Sequence, residues 1–345
     1  MGKASRVLML CWAAVLIASL CVPVVCAEGI SAQSMVKKNI MLLKDKRTEH
    51  DATVALMSLG EDAVPLLSEV AKSPGEKVSH RILILEILGD IKSPAALDAI
   101  IAALKDSNVK IRRAAARSLG RIGDAKAAGA LKEALSDFDA EVRYLVARAL
   151  QQIKDPGLGD VFIKLLADPD VGVRIAAADG LGDIREQKSV ESLSQIISDP
   201  NDDLRLSVAI ALGKIESKAA LPALNKLLDD TNINVRREAL KALGAIRDPS
   251  SIPQLIKIAE RDYKDLRCAA TTALGDIGGS EVIPTLKKLL RDEMIDVRVA
   301  AIKSLAKIGD PEFVKDIEPL LTDESTKARK AAQAAIDQIN SKKGS

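Results

Sequence analysis

An arginine stands at every thirty-first residue from 81 to 329: Arg81, Arg112, Arg143, Arg174, Arg205, Arg236, Arg267, Arg298 and Arg329. No insertion or deletion breaks the series. An isoleucine follows ten residues after each, from Ile91 to Ile339. A leucine lies seven after the arginine in eight of the nine units, with Ile336 in the last, and glycine lies eight after in six. So strict a period restricts the chain to one supersecondary unit repeated many times.

Each unit holds two helical patterns. In VRREALKALGAI (235–246), aliphatic residues occupy positions −1, +3, +4, +6, +7 and +10 from the arginine, and IRRAAARSLGRIGD (111–124) follows the same pattern with Ser118 at +6. At about 100° per residue these share one broad face of an α-helix, and +1, +2, +5 and +9 lie opposite. The second pattern reads ALPALNKLL (220–228) or VIPTLKKLL (282–290), with Pro222, Pro253 and Pro284 in its first turn, where a missing N–H costs least. An aspartate stands six before the arginine in seven units, from Asp106 to Asp323. Asn108, Asp139, Asp170, Asn201, Asn232 and Ser325, four before it, are suited to capping the helix that follows. No strand pattern appears. The prediction is an all-α fold, an α-solenoid of about ten stacked helix pairs, in which each pair needs its neighbours to cover its apolar face.

Composition agrees. Hydrophobic residues make up 48% but aromatics only 2%, so the core is aliphatic, which suits close helix packing. The formal net charge of +2 comes from Lys3 and Arg6 at the extreme N-terminus. These two precede an uncharged apolar run, Val7 to Leu20, then Pro23 and Val25-Cys26-Ala27, the pattern of a cleaved signal peptide. The domains expected are therefore a signal peptide over 1–27, a divergent N-terminal capping helix pair over 28–61, in which Leu59-Gly60 matches the repeat glycine and Ala52 replaces the arginine, and the repeat solenoid over 62–342. Export to the periplasm or medium follows, with an uncleaved or lipidated membrane anchor as the alternative. The mature chain is about neutral, which gives no bulk attraction to nucleic acid or anionic lipid. It keeps only Cys268, so no intrachain disulfide and no cysteine metal site can form.

The recurrent Asp followed by Val-Arg-x-x-Ala-Ala-x-Ala-Leu-Gly-x-Ile-Gly-Asp closely resembles the phycobilisome-lyase-type HEAT repeat. In such families the arginine-bearing helix lines a concave face, and the Asp and Arg rows bond between neighbouring units. The resemblance thus implies a structural ladder of the nine arginines. It implies less about function, because the repeat serves unrelated tasks. Deoxyhypusine hydroxylases, also HEAT arrays, hold two irons with His-Glu pairs. Here His50 precedes Asp51 and His80 precedes Arg81, so no such pair exists. Phycobilin lyases act on cytosolic or plastid antenna proteins, which conflicts with an export signal, and no lyase residue can be matched.

Other chemistry is sparse. Nucleophile-elbow, P-loop and dinucleotide patterns are missing. Asp137 with Asp139, Asp168 with Asp170, and Asp199 with Asp202 and Asp203 suit capping better than calcium, since no loop-spaced bidentate Glu completes a site. Cys268 has only Arg267 nearby to depress a thiol pKa. The strongest lead is the variable face of the middle units. Tyr144, Leu145, Ile175, Leu206 and Ile210 form an apolar strip beside Arg113, Arg117, Arg121 and Arg148. Apolar patches with Tyr and Arg are typical of binding hot spots. The expected function is an exported scaffold that binds a protein partner on its concave face, without cofactor or catalysis. The alternative is a lyase-type or oxidoreductase-associated accessory that handles a cofactor or modified protein.

Overall fold

The computed structural model describes residues 31–341, so the targeting segment expected over 1–27 lies outside the described residues. The chain divides into two compact units, one ending at Ile153 and one beginning at Lys154, and each is described by itself. Both are all-α, and no strand occurs among the described residues.

In each unit short and long helices alternate. The long, arginine-bearing helices of the first unit are Val78–Ile91, Val109–Ile122 and Ala140–Ile153. Those of the second are Val171–Asp183, Asp202–Ile215, Ile233–Ile246, Lys264–Ile277, Ile295–Ile308 and Thr326–Ser341. Within a unit each packs against the next long helix along the chain and against the short helix before it. This is an α-solenoid: a row of long helices backed by a row of short ones.

The punctuation is local chemistry. Short helices open with a single 3₁₀ turn, capped in several repeats by an aspartate side chain, as Asp124 does for Lys126 N–H (2.8 Å) and Asp248 for Ser250 N–H (3.0 Å). Long helices are capped by the predicted residues: Asn108 accepts from Lys110 N–H and Asn201 from Leu204 N–H. Most long helices stop at position +11, where the backbone turns left-handed. Gly123 and Gly309 meet that demand without strain, whereas Lys92, Glu216 and Arg247 adopt φ of 56–57° despite their side chains.

Burial follows the predicted face. In one helix Val235, Ala239, Leu240, Ala242 and Leu243 are all enclosed. The isoleucine at +10 is less uniform: Ile215 and Ile246 are buried, but Ile122, Ile277 and Ile308 are half-buried. The glycine at +8 marks a close approach. A Cβ on Gly120 would stand 3.3 Å from Ala149, and one on Gly244 would stand 2.9 Å from Ala273, each the +6 residue of the following repeat. Where +6 is a serine it bonds backward: Ser118 Oγ donates to Leu85 O at 2.7 Å, and Ser304 Oγ to Thr271 O at 3.1 Å.

At the N-terminus, helices Ala32–Leu42 and Glu49–Leu59 form a pair ahead of the regular repeats. Gly60 does not play the repeat glycine's part. It ends its helix at φ 55° with open space around it, so that helix is eleven residues long where most of the regular ones have fourteen. Lys44 reaches Glu76 at 2.9 Å and ties this pair to the 73–77 turn.

Candidate partner-binding face

Two rows of charged groups organise the long helices, and they do different work. The first is the arginine row. Arg112 grips Asp137 of the next repeat at 2.6 and 2.9 Å, and Arg205 grips Asp230 with the same two distances. Arg81–Asp106 (2.7 Å), Arg174–Asp199 (3.1 Å), Arg298–Asp323 (2.8 Å) and Arg267–Asp292 repeat the pairing. The same guanidinium also donates to the carbonyl of its own repeat's aspartate, as Arg143 does to Asp137 O and Arg205 to Asp199 O. Each aspartate in turn accepts the N–H two residues on, as Asp137 does from Asp139 and Asp230 from Asn232. One carboxylate thus fixes its own turn and receives the preceding arginine. Burial is the largest single influence on Asp137 and Asp230 and works against their charged form. The bonds from Arg112 and Arg205, together with those from the N–H groups of Asp139 and Asn232 and the nearby arginine charge, nevertheless hold both carboxyls below the ordinary range.

Two positions lack the aspartate: Gly75 and Arg261 stand there. The arginines that follow donate through Nε to Ala71 O (2.8 Å) and Ala259 O (3.2 Å) instead. Arg236 is left with Asp262 at 3.9 Å and the face of exposed Tyr263, 5.8 Å from the ring centre. The last arginine, Arg329, bonds to Thr326 within its own helix.

The second row lies on the outward face of the long helices, at +5 and +9. Arg117 meets Glu86 (3.2 Å) and Arg121 meets Asp90 (2.9 Å), each thirty-one residues apart. In the second unit Lys214–Asp183 (2.6 Å) and Lys307–Asp276 (2.5 Å) do the same. Exposure in this row is substantial: 43% for the Arg117 side chain and 35% for Arg121.

Of the residues singled out from the sequence, Arg113, Arg117, Arg121, Tyr144, Leu145 and Arg148 belong to the first unit, and Ile175, Leu206 and Ile210 to the second. Tyr144, Leu145, Ile175, Leu206 and Ile210 are all half-buried. Arg113 gives its Nε/Nη2 edge to Asp139, at 2.9 and 2.6 Å, and so braces the cap of the next helix. Arg148 donates to Gln151 at 2.7 Å. Sequence reasoning misses Glu86, Asp90 and Gln151, and it reads Asp139 as a cap without its link to Arg113. A signal exists for the first two, which occupy the positions of Arg117 and Arg121 one repeat earlier.

In the first unit a groove of about 460 Å³ opens on this face, walled by Arg117, Arg121, Leu145 and Arg148. A second, of about 670 Å³, opens in the second unit around Cys268, Thr272, Lys303 and Lys327. The larger cavity of about 890 Å³ lies elsewhere, where Lys288–Glu260 and Lys287–Asp316 pairs already fill its polar wall. Cys268 is half-buried, and burial with nearby Asp296 pushes its thiol pKa up, away from the reactive thiolate. His50 is exposed. His80 is enclosed with Nδ1 3.1 Å from Glu76. Among the described residues no three His, Cys, Asp or Glu side chains are placed to hold a metal ion.

A family described as HEAT repeats matches residues 64–137, 129–206, 190–267 and 252–337. No curated protein matches the chain in sequence. Among solved structures, an engineered protein aligns at 24% identity over 89% of this chain and 99% of its own, with TM-score 0.55. A protein of Escherichia coli, YibA, aligns at 23% identity over 74% of this chain and 96% of its own, with TM-score 0.53. A chain from the complex of Kap95p with RanGDP aligns at 13% identity and TM-score 0.65, covering 89% of this chain and 49% of that one. At these identities the likeness is one of fold.

Proposed function

We propose, from the premise that the chain belongs to the HEAT-repeat family, that it is an exported scaffold whose long-helix face binds a protein partner. The fold is typical of protein-interaction scaffolds. Kap95p, of similar fold, binds RanGDP. The observation that carries the proposal is the first-unit groove, where half-buried Leu145 lies among three guanidiniums; half-buried Tyr144 precedes it on the same helix, outside the groove lining. An apolar anchor rimmed by arginine is the composition of an interaction hot spot. Leu145 and Arg148 are its centre, with Tyr144 next to Leu145 on the same helix; Ile175, Leu206 and Ile210 are apolar candidates of the second unit by itself. The ladder arginines are assigned to stability.

Export is supported by Lys3, Arg6 and the apolar run Val7 to Leu20. No helix among the described residues is long and apolar enough to cross a membrane. The Val-Arg-x-x-Ala-Ala pattern supports a place in the phycobilisome-lyase-type subfamily. We assign the protein no reaction of its own.

The test is capture from an envelope extract by the purified protein and by a Tyr144→Ala/Arg148→Ala variant of unchanged melting temperature. A partner held by the first and lost by the second supports the proposal. Equal capture by both sinks this face as the site. Intact mass of protein recovered from the envelope fraction tests export: retention of residues 1–27 in a cytosolic protein would overturn it and revive the lyase-type accessory.

A further inference from the structure

We propose that the first-unit groove takes an extended acidic segment of the partner, with carboxylates at alternate positions. This rests on the scaffold function above and names the chemistry the face selects. The groove exists because successive long helices meet through small residues: Ala116, Gly120 and Ala149 make its floor. Its rim carries Lys92, Arg117, Arg121 and Arg148 against a single lining carboxylate, Asp90. Arg148 is already engaged by Gln151, and even with Glu86, which pairs with Arg117 from outside the lining, the remaining cations Lys92, Arg117 and Arg121 outnumber the carboxylates three to two.

The arginines are aimed but not saturated. Arg117 is held by Glu86 through Nη1, and Arg121 by Asp90 and Glu86 O through Nη1. Among the described residues, Nε–H and Nη2–H of both have no protein acceptor, which leaves the edge that receives a carboxylate as a fork. The two stand four residues apart on one helix, so their Cβ atoms are about 6 Å apart. Alternate side chains of an extended chain are spaced about 6.6 Å. A Glu-x-Glu segment laid along Val109–Ile122 therefore matches both guanidiniums. Nucleic acid suits the groove less well. Asp90 and Glu86 would face a continuous phosphate chain, and no aromatic ring lines the groove to stack a base.

Fluorescence anisotropy with the purified protein tests this, using labelled peptides of alternating Glu-Leu and Lys-Leu and a single-stranded oligothymidylate. The acidic peptide is expected to bind about tenfold tighter than the basic one at low salt, and to weaken as salt rises. Arg117→Gln with Arg121→Gln should weaken it about tenfold, while Lys303→Gln in the second unit leaves it unchanged. Glu86→Gln, which removes the competing carboxylate, should tighten binding about threefold, and no folding defect can mimic a gain. Equal binding of both peptides, insensitivity to the arginine pair, or oligonucleotide binding lost with that pair overturns the proposal. If the acidic peptide fails while Tyr144- and Arg148-dependent capture persists, the acidic preference falls and the scaffold function stands. If both fail, both fall.

Discussion

Gly182 and Ala211 meet so closely that a Cβ on the glycine would stand 2.8 Å from the Cα of the alanine. The neighbour is backbone, which cannot swing aside, so Gly182→Ala must push one long helix off the next. A cost of about 2–3 kcal/mol is expected, as for overpacking elsewhere in a close-packed interior. Gly129 provides the control: it lies in helix Ala128–Ala134, and a Cβ there would meet nothing within 4 Å. Gly129→Ala should stabilise by up to about 1 kcal/mol through helix propensity. Denaturant melts of the two variants with opposite signs would establish the reason for the repeat glycine; equal signs would refute it.

The arginine ladder should be uneven. Arg205 and Asp230 are 11% and 6% exposed and doubly bonded, so Arg205→Ala strands a nearly buried carboxylate and should cost about 2–4 kcal/mol. Arg236 has no close carboxylate and leans on Tyr263, so Arg236→Ala should cost only about 1 kcal/mol. Hydrogen exchange should show the second unit opening first around Asp262. Equal costs for the two substitutions would contradict this.

Arg247 occupies a left-handed position at φ 56°. Arg247→Gly removes the Cβ clash, which outweighs the chain entropy it adds to the unfolded state, and a net gain of about 0.5–1 kcal/mol is expected. The measurement is again a denaturant midpoint, and a loss of stability would show that the side chain packs.

Acid should attack the ladder. Arg298 holds the Asp323 carboxyl below its ordinary value of 3.8, and Asp137 and Asp230 are lowered against the pull of burial. A carboxyl with a lowered folded pKa contributes stability that is complete above its unfolded pKa and lost as pH falls through the folded one. Melting temperature should therefore hold level from neutral pH to about 5 and drop below about 4. Asp323→Asn should flatten that drop; a variant that follows the wild-type curve would remove Asp323 from the cause.

Much of the fold is legible in the sequence because the period is so strict. Positions −1, +3, +4, +6 and +7 declare the core, and the caps at Asn108 and Asn201 follow from residue type. The outward face is harder to read. Arg117 and Arg121 look like unattached cations until Glu86 and Asp90 are read at the same positions one repeat earlier, a cross-helix relation that single-helix periodicity does not reveal. Arg113 reads as part of the same patch, yet it braces Asp139. Gly60 also misleads: its Leu-Gly context copies the repeat, but with no helix pressed against it the glycine ends its helix instead. At 236, an arginine in perfect register lacks its partner because Arg261 replaces the aspartate twenty-five residues later.

Because an aspartate such as Asp230 both closes its own turn and receives the arginine twenty-five residues before it, the array is divisible only at its own period. Consider the loss of one whole repeat within the second unit, residues 206–236. Asp230 and Arg236 would go together, Arg205 would inherit the place opposite Arg261 and Asp262, and every other Arg–Asp pair would stay in step. A cut one residue longer or shorter would set a helix's glycine against the wrong neighbour. The chain can therefore change length by recombination in whole links. Any gene rearrangement that survives in it should be a multiple of ninety-three nucleotides, three for each of the thirty-one residues between one arginine and the next.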